Sequence, residues 1–266
     1  MWLNGLEYEA LGTVNARVRN FRASLLPQGS SLTIPASVMI GGVARNVTEI
    51  GPAVFANPRK GEVDWRGSQK HPETNWWDSG WILPSRITQI NFPSTLQVIH
   101  NEAFFECEHI IQFNMSSCRT IGERAFEGCR GLKFFSAPHN LLEIRAWAFH
   151  RCRLESVTLN EGLDFIGDRV FDSVTSHGDT DDDKTNILSE ITIPSTVTNV
   201  GAFCFFGQPL EVIDGITGWS NFFIRMQSNM PSSFHEMWNW ANLPFVDDDD
   251  QGPIDYSRVI RFPVVH

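Results

Sequence analysis

One short pattern recurs along this chain and constrains its fold more than any other feature. An example is "TIGERAFEGC" at residues 120–129, where an Ile-Gly pair is followed by two variable residues, Ala-Phe, two more residues and a cysteine. Variants of the pattern end at Phe55, Phe104, Phe126, Phe149, Phe171 and Phe205. The copies from Phe104 to Phe171 follow one another at intervals of 22 or 23 residues. Such a short fixed period predicts a repeat protein whose units bury their apolar residues by stacking.

A second constant element lies between these copies. It is an apolar pattern in which the last two apolar positions alternate with polar ones, often closed by proline, as in Ile87, Ile90, Phe92 and Pro93 or in Leu188, Ile191, Ile193 and Pro194. Alternation of this kind predicts a β-strand with one buried face, and proline ends the strand because it has no N–H to donate. We therefore predict that each unit contains a strand, a bend at the Ile-Gly pair where glycine permits a tight or positive-φ turn, and a single helical or 3-10 turn over the Ala-Phe segment.

These residues resemble the BspA-like leucine-rich repeats, whose unit reads approximately LxxIxIPxxVxxIGxxAFxxC. The stretches "ITQINFPSTLQVIHNEAFFEC" and "LSEITIPSTVTNVGAFCF" match that unit nearly position for position, and the resemblance extends over roughly residues 30 to 215. The stretch "LTIPASVMIGGVARNVTEIGPAVF" resembles the family's first unit with an additional hairpin. Three departures are His100 and Arg145 in place of the glycine, and Gln208 in place of the cysteine.

The resemblance implies a strand-dominated leucine-rich-repeat solenoid of the α/β horseshoe class. Its parallel sheet of short strands would be joined by helical or 3-10 turns, between an N-terminal hairpin cap and a C-terminal helical cap. We assign residues 1–230 to the solenoid and its N-terminal cap, with insertions at about 57–84 and 175–187. Residues 231–266 are predicted to form a capping helix and tail, because Ser233 and Glu236 have capping-box spacing. Docking of that helix onto a partner is the alternative.

Charge and hydropathy exclude two classes of partner. The chain has 31 acidic and 21 basic residues, a formal net charge of −10, and no basic stripe that could neutralise phosphates, so nucleic acid is not expected. No apolar run approaches the roughly 18 residues of a membrane span. The first residues lack the positive flank and apolar stretch of a signal peptide. The family resemblance nevertheless implies a cell-surface or secreted protein, so the compartment stays open between a cytosolic protein and a chain without its leader.

The five cysteines predict free thiols and no cofactor site. Cys107, Cys129 and Cys152 share one repeat position, so they would lie about one strand spacing, roughly 4.8 Å, apart. Parallel inward side chains rarely have the dihedral angle that a disulfide needs, and we expect buried thiols that fill space. Cys118 and Cys204 look incidental. The sequence contains no nucleophile elbow, HExxH or phosphate-binding glycine loop, so we expect neither an enzyme nor a cofactor.

Two weaker signals concern metal and sugar. Asp179, Asp181, Asp183 and Glu190 occupy positions 1, 3, 5 and 12 of a calcium-loop template, but Lys184 replaces its turn glycine. A solvated acidic loop is the favoured interpretation, with Asp179, Asp181 and Asp183 as a weak metal candidate. Asn46 in "NVT" and Asn114 in "NMS" are candidate N-glycosylation acceptors.

The candidate binding residues are the polar positions that alternate with apolar ones on the predicted strands. They are Gln89, Asn91, Gln112, Asn114, Phe134, Ser136, Ser156, Thr158, Glu190 and Thr192. In the first insertion, Trp76, Trp77 and Trp81 form either an aromatic platform for a ligand or a cover over the solenoid. We therefore predict a non-enzymatic scaffold that recognises a protein or, alternatively, a glycan surface.

The competing hypothesis is a structural subunit docked permanently in a larger assembly. Its docking arms would be the Trp-rich insertion and the C-terminal segment, where "DYSRVIRFPVVH" has strand-like alternation. A soluble monomer with buried tryptophans would favour the recognition scaffold, whereas aggregation or exposed tryptophans would favour the assembly subunit.

Overall fold

Short strands dominate the fold. The computed structural model describes residues 1–57, 83, 85–172, 186, 188, 191–201 and 204. For residue 190 and for the strands at 212–213, 216–217 and 223–226 it describes only the backbone. The strands are β1 (Trp2–Leu3), β2 (Leu6–Leu11), β3 (Asn15–Phe21), β4 (Ser31–Thr33), β5 (Ser37–Ile40), β6 (Val43–Ile50), β7 (Gln89–Asn91), β8 (Val98–Ile99), β9 (Gln112–Asn114), β10 (Thr120–Ile121), β11 (Phe134–Ser136), β12 (Glu143–Ile144), β13 (Ser156–Thr158), β14 (Phe165–Ile166), β15 (Glu190–Ile193), β16 (Asn199–Val200), β17 (Val212–Ile213), β18 (Ile216–Thr217) and β19 (Phe223–Met226). The described residues contain one 3-10 helix, Ala23–Leu25.

One long sheet runs the length of the described solenoid. Its order is β1-β2-β3-β6-β8-β10-β12-β14-β16, antiparallel over the first three strands and parallel from β3 onward. Strands β5 and β6 form an antiparallel hairpin, which confirms the additional hairpin expected in the first unit. Along the parallel part, the second residue of each two-residue strand pairs with its counterpart in the next coil, as Ile99 pairs with Ile121. The Ile position of the repeat is therefore a continuous core rung.

The strands predicted from the alternating pattern lie on another side of the coils and do not form one sheet. They form three separate groups, β4-β7-β9, β11-β13 and β15-β19, all with parallel pairing. No ladder joins β9 to β11, although the structure describes both strands completely. The predicted parallel strands are thus confirmed, and their ladder is interrupted between β9 and β11.

The phenylalanines of the repeat form a stacked column through the core. Ring centroids of Phe55, Phe104, Phe126, Phe149 and Phe171 follow each other at 4.9, 5.2, 5.5 and 5.9 Å, with planes within 15° of parallel. All five side chains are completely buried. Each ring thus lies between the rings of its neighbouring coils, so the coils are held together by a shared apolar column.

The Ala-Phe segments are not helical, contrary to the sequence prediction. They consist of successive single turns in which residues such as Arg124 and Trp147 have positive φ angles, 56° and 62°. This conformation turns alternate N–H groups toward the next coil. In one coil Glu102, Phe104 and Glu106 donate their N–H groups to the carbonyls of the following coil at 2.7–2.8 Å, and neighbouring coils follow the same rule. We call this side of the solenoid the turn arc.

The glycine of the Ile-Gly pair is required for a reason other than the predicted tight or positive-φ turn. Gly122 does not have a positive φ angle, but a Cβ atom on it would lie 2.6 Å from the backbone of His100 and Asn101 in the preceding coil. Close approach of two coils, rather than a left-handed turn, therefore excludes a side chain at Gly122. A left-handed glycine does occur at Gly128, whose φ is 74°.

Candidate functional site

The outward strand positions form two columns of side chains on the side of the solenoid that carries β7, β9, β11, β13 and β15; we call this surface the strand face. The side chains of Gln112, Asn114, Phe134, Ser136, Ser156, Thr158 and Thr192 are exposed, and those of Gln89 and Asn91 are half-buried. The intervening residues point inward, as the buried Ile90, Phe135 and Val157 illustrate. The strands' period-two alternation therefore places the candidate residues on one surface, with Gln89 beside Gln112 and Phe134 beside Ser156.

Internal hydrogen bonds fix the amino-terminal end of the strand face. The Nδ2 atom of Asn91 donates to Ser31 Oγ at 2.7 Å and to Thr33 Oγ1 at 3.2 Å, while Gln89 Nε2 donates to Asn91 Oδ1 at 3.2 Å. These polar groups are therefore already engaged by the first coil. The exposed amides of Gln112 and Asn114 in the next coil are better placed to contact a partner.

An apolar patch interrupts this polar surface at the break between β9 and β11. The side chain of Phe134 is 64% exposed and that of Ile111 is 53% exposed, whereas Phe113 points inward and its ring stacks on the buried Phe126 at 4.8 Å. Beside Phe134, Lys133 Nζ lies 2.7 Å from Glu155 Oε1, so the two adjacent charges neutralise each other. We call the exposed Ile111 and Phe134, on the two sides of this break, the notch.

Several sequence predictions fall outside the described residues or reach only the backbone. Trp76, Trp77 and Trp81, the calcium candidates Asp179, Asp181 and Asp183, and the predicted helix within 231–266 all lie outside them. Glu190 is the first residue of β15 and pairs with Phe223, and nothing is described of its side chain. The two sequon asparagines, Asn46 and Asn114, are exposed, and glycosylation of either stays a prediction.

The cysteine column is confirmed as a set of buried free thiols. Each thiol donates to the phenylalanine carbonyl of the preceding coil: Cys107 Sγ lies 2.9 Å from Phe55 O, and the equivalent distances for Cys129 and Cys152 are 3.2 and 3.1 Å. Burial raises the pKa of each of these three thiols well above the ordinary cysteine value. The column therefore acts as an apolar filler that also satisfies one buried carbonyl per coil.

Asn186 continues this column where the next coil lacks a cysteine. Its side-chain amide is completely buried and donates to Phe149 O at 2.9 Å, the carbonyl that a cysteine of that coil would contact, and also to Asp172 O at 3.1 Å. Its Oδ1 atom accepts the N–H of Leu154 at 3.0 Å. Asn186 therefore returns the chain to the solenoid core after the acidic insertion, a role that the sequence reading missed.

The view of Cys118 and Cys204 as incidental is wrong, because each fills a different core rung. Cys118 is completely buried three residues before Ile121, the position that Leu96 occupies before Ile99. Cys204 is also completely buried, and its carbonyl accepts the Phe171 N–H as the Ala148 carbonyl accepts that of Phe126. Burial raises the pKa of Cys118 to about 12 and that of Cys204 further.

We expect all five thiols to be unreactive in the folded protein. The thiolate is the nucleophile, and a raised pKa lowers the thiolate fraction near neutral pH, while burial blocks access. An aromatic disulfide reagent such as DTNB should therefore release little chromophore from native protein and a signal equal to all five thiols in denaturant. Stoichiometric labelling of any cysteine before unfolding would contradict the buried ladder.

A buried charge cluster lies on the turn arc, where the sequence reading expected only variable polar residues. His150 Nδ1 lies 3.5 Å from Glu127 Oε1 and its Nε2 lies 4.0 Å from Asp172 Oδ2. Arg124 pairs with Glu127 at 3.2 Å, and Arg169 pairs with Asp172 at 2.8 Å. A buried charge is tolerated only when it is paired, so these contacts tie three successive coils together.

Trp147 extends the cluster toward the surface. The guanidinium groups of Arg124 and Arg169, from the coils before and after, each lie 5.1 Å from the centre of its ring. Arg side chains over an aromatic face gain electrostatic stabilisation from the ring quadrupole. The sequence signal that could have revealed this column is the repeated position before Ala-Phe, occupied by Arg124, Trp147 and Arg169.

Outside the strand face, one shallow open groove of about 380 Å³ crosses the turns that follow the long sheet. Its lining residues are Asn101, Glu123, Glu143, Arg145, Ala146 and Phe165. Arg145 pairs with Glu143 at 3.2 Å within the groove. Across the ranges that the structure describes, no group of three or more His, Cys, Asp or Glu side chains is arranged to hold a metal ion. No helix within these ranges is long and apolar enough to cross a membrane.

Comparison with known families gives one match. The family described as BspA type leucine rich repeat region matches residues 84–177 and 183–223 in six copies, more than half of the 266 residues. A search of curated proteins gives no match.

Solved structures give similar folds at low sequence identity. A leucine-rich repeat protein from Bacteroides ovatus ATCC 8483 is 18% identical with a TM-score of 0.54, and the alignment covers 86% of this chain and 65% of that chain. A leucine-rich repeat protein from Bacteroides capillosus ATCC 29799 is 22% identical with a TM-score of 0.46, covering 61% and 98%. A leucine rich cell surface protein from Faecalibacterium prausnitzii A2-165 is 18% identical with a TM-score of 0.49, covering 86% and 55%. This chain therefore spans less than two thirds of two of these proteins.

Proposed function

We propose that this chain, which belongs to the BspA type leucine-rich repeat family, is a non-enzymatic binding scaffold that recognises a protein or glycan through its strand face. One observation carries the proposal: the repeat holds exposed amide, hydroxyl and aromatic side chains in two columns on a rigid stacked core. Solenoids of this kind present extended surfaces whose side chains can change without disturbing the core. The constant residues of the repeat support the surface, and the variable outward residues make the contact.

The chemistry of the buried groups supports a binding role over catalysis. The thiols, His150 and its carboxylate partners are enclosed in the core or in the turn arc, where a substrate could not reach them. By contrast, the exposed groups of the strand face are amides and hydroxyls together with Phe134, which hydrogen-bond and pack without being activated. Such a surface favours a modest interface that retains water.

We expect a triple change on the strand face to abolish or strongly weaken partner binding while leaving the fold intact. The variant replaces Gln112, Phe134 and Ser156 with alanine, since these exposed side chains lie on three neighbouring coils. Immobilised protein would be incubated with extract from its native source, and the ligands retained specifically would be quantified for both forms. A matched control replaces the exposed Met39 and Val43 of the β5–β6 hairpin, which lie outside the strand face. Equal retention by the triple variant and the unchanged protein would refute the proposal.

The alternative of a permanently docked structural subunit depends on the Trp-rich insertion and the C-terminal segment. Both lie outside the described residues, so no described contact favours it. The oligomeric state and the tryptophan accessibility of the isolated chain distinguish the two functions. A soluble monomer with buried tryptophans favours the recognition scaffold, and aggregation or exposed tryptophans favour the assembly subunit.

A further inference from the structure

Building on the proposed function of the strand face, we propose that its ligand is an uncharged linear glycan, with one sugar ring stacked on Phe134 at the notch. A sugar ring has an apolar face of C–H groups and a rim of hydroxyls that both donate and accept hydrogen bonds. The strand face offers a complementary surface for each of these two features.

The notch supplies the apolar contact. Phe134 is the most exposed large apolar side chain in the described residues, and the exposed Ile111 directly precedes β9 on the other side of the break between β9 and β11. An exposed aromatic ring on the same face as the exposed amides and hydroxyls offers a ligand both an apolar and a hydrogen-bonding contact. A planar ring that is open on one face suits stacking against a flat ligand.

The break between the two strands supplies backbone hydrogen-bonding groups. Strand β9 pairs with β7 and strand β11 pairs with β13, but no ladder joins β9 to β11. Their facing edges therefore present N–H and C=O groups that the usual sheet partner does not satisfy. A hydroxyl can donate to a carbonyl and accept from an N–H, so a polyhydroxylated ligand over the notch can satisfy both kinds of group.

The charges around the strand face favour an uncharged ligand. The exposed side chains that the structure describes in the two columns, from Gln112 to Thr192, carry amide, hydroxyl or aromatic groups. The nearest charged pair, Lys133 and Glu155, is internally neutralised. An acidic polymer would be repelled by a chain whose net charge is −10.

The dimensions of the strand face favour a long, narrow ligand over a globular protein. Two columns of side chains on one strand are about 7 Å apart, and successive coils are about 4.8 Å apart, so six coils form a strip about 7 Å wide and about 24 Å long. A globular protein needs a broader surface, because a standard interface buries about 800 Å² of accessible surface on each partner. An extended peptide repeats its same-face side chains about every 6.8 Å and would lose register with coils that repeat at about 4.8 Å.

The experiment uses the full chain and defined probes. An array of linear hexasaccharides of glucose, mannose or xylose, with uronic-acid oligomers as charged comparators, would identify the best neutral ligand for titration calorimetry. We expect at least one neutral hexasaccharide to bind with an affinity that is the same at low and high salt, since no charges are paired. Phe134→Ala should weaken this binding about five- to tenfold. Phe134→Trp should restore it, and the control Met39→Ala should leave it unchanged.

Each outcome decides between the glycan and other ligands. The inference is wrong if no neutral hexasaccharide binds, if only the charged oligomers bind, or if Phe134→Ala binds as well as the unchanged protein. If no sugar binds but the triple strand-face variant still loses a captured protein, the glycan is refuted and the proposed scaffold function stands. If neither sugar nor captured ligand depends on the strand face, both are refuted. Because Phe134 is exposed, far-ultraviolet circular dichroism should verify that its variants fold normally.

Discussion

Replacing Phe126 with alanine is expected to lower the free energy of unfolding by about 3 to 5 kcal/mol. The ring is completely buried and stacks between Phe104 at 5.2 Å and Phe149 at 5.5 Å. Its removal leaves a cavity in the middle of the aromatic column, where the coils on either side cannot collapse because their backbones are fixed by hydrogen bonds. Urea denaturation, followed by circular dichroism, measures the loss as a lower midpoint.

The chain contains its own control for this substitution. Phe134→Ala removes the same side chain from a site that is 64% exposed, and we expect a change within about 0.5 kcal/mol. Equal destabilisation by the two variants would mean that burial in the column is not what makes Phe126 important.

Replacing Asn186 with alanine is expected to be nearly as damaging, although the side chain is small and polar. The change removes the amide that donates to the C=O groups of Phe149 and Asp172. It also removes the oxygen that accepts the N–H of Leu154. The C=O of Phe149 still accepts the N–H of Cys152 at 3.4 Å. Loss of a partner at the other two buried groups costs about 1 to 3 kcal/mol each, so we expect a total of about 2 to 4 kcal/mol. The same denaturation experiment measures it.

Two further variants test the cause of that loss. Asn186→Cys places in this coil the thiol that contacts a phenylalanine carbonyl in the three preceding coils, and it should recover part of the stability. Asn160→Ala removes an amide that also donates to two carbonyls, at 3.1 Å each, but at a partly exposed site, where water can replace it. A loss at Asn160 as large as that at Asn186 would show that burial is not the deciding factor.

The sequence is sufficient to predict the repeat, its strand positions and its core rungs. This is possible because stacking forces every coil to present the same kind of side chain at the same place, so Ile121, Phe126 and Cys129 each recur at a fixed interval. The same logic, applied to position rather than to residue type, would have placed Cys118 and Cys204 in the core. Their burial was missed because Cys118 occupies the repeat position of a leucine such as Leu96, and Cys204 occupies that of an alanine such as Ala148.

The remaining features are not evident from the repeat pattern alone. Glu127 and His150 occupy the same repeat position in successive coils, 23 residues apart, so stacking predicts that they are neighbours, but their polar residue types do not predict that this position is buried. The break between β9 and β11 was not predictable from the sequence, since both strands have the pattern that predicts pairing. The notch at Phe134 was therefore visible in the sequence as one exposed aromatic residue, but not as a gap in the sheet.

The hydrogen bonds of the turn arc give the molecule an electrical polarity along its length. The peptide unit between Ala103 and Phe104 accepts from Phe55 in the coil before and donates to Ala125 in the coil after, both at 2.8 Å, and equivalent units repeat this orientation. Peptide dipoles aligned in this way add together, as they do in an α-helix, and leave the N–H end partially positive. That end faces the later coils, where the carboxylate of Asp172 is completely buried. A negative charge on this side chain is therefore stabilised by a field that the backbone itself creates.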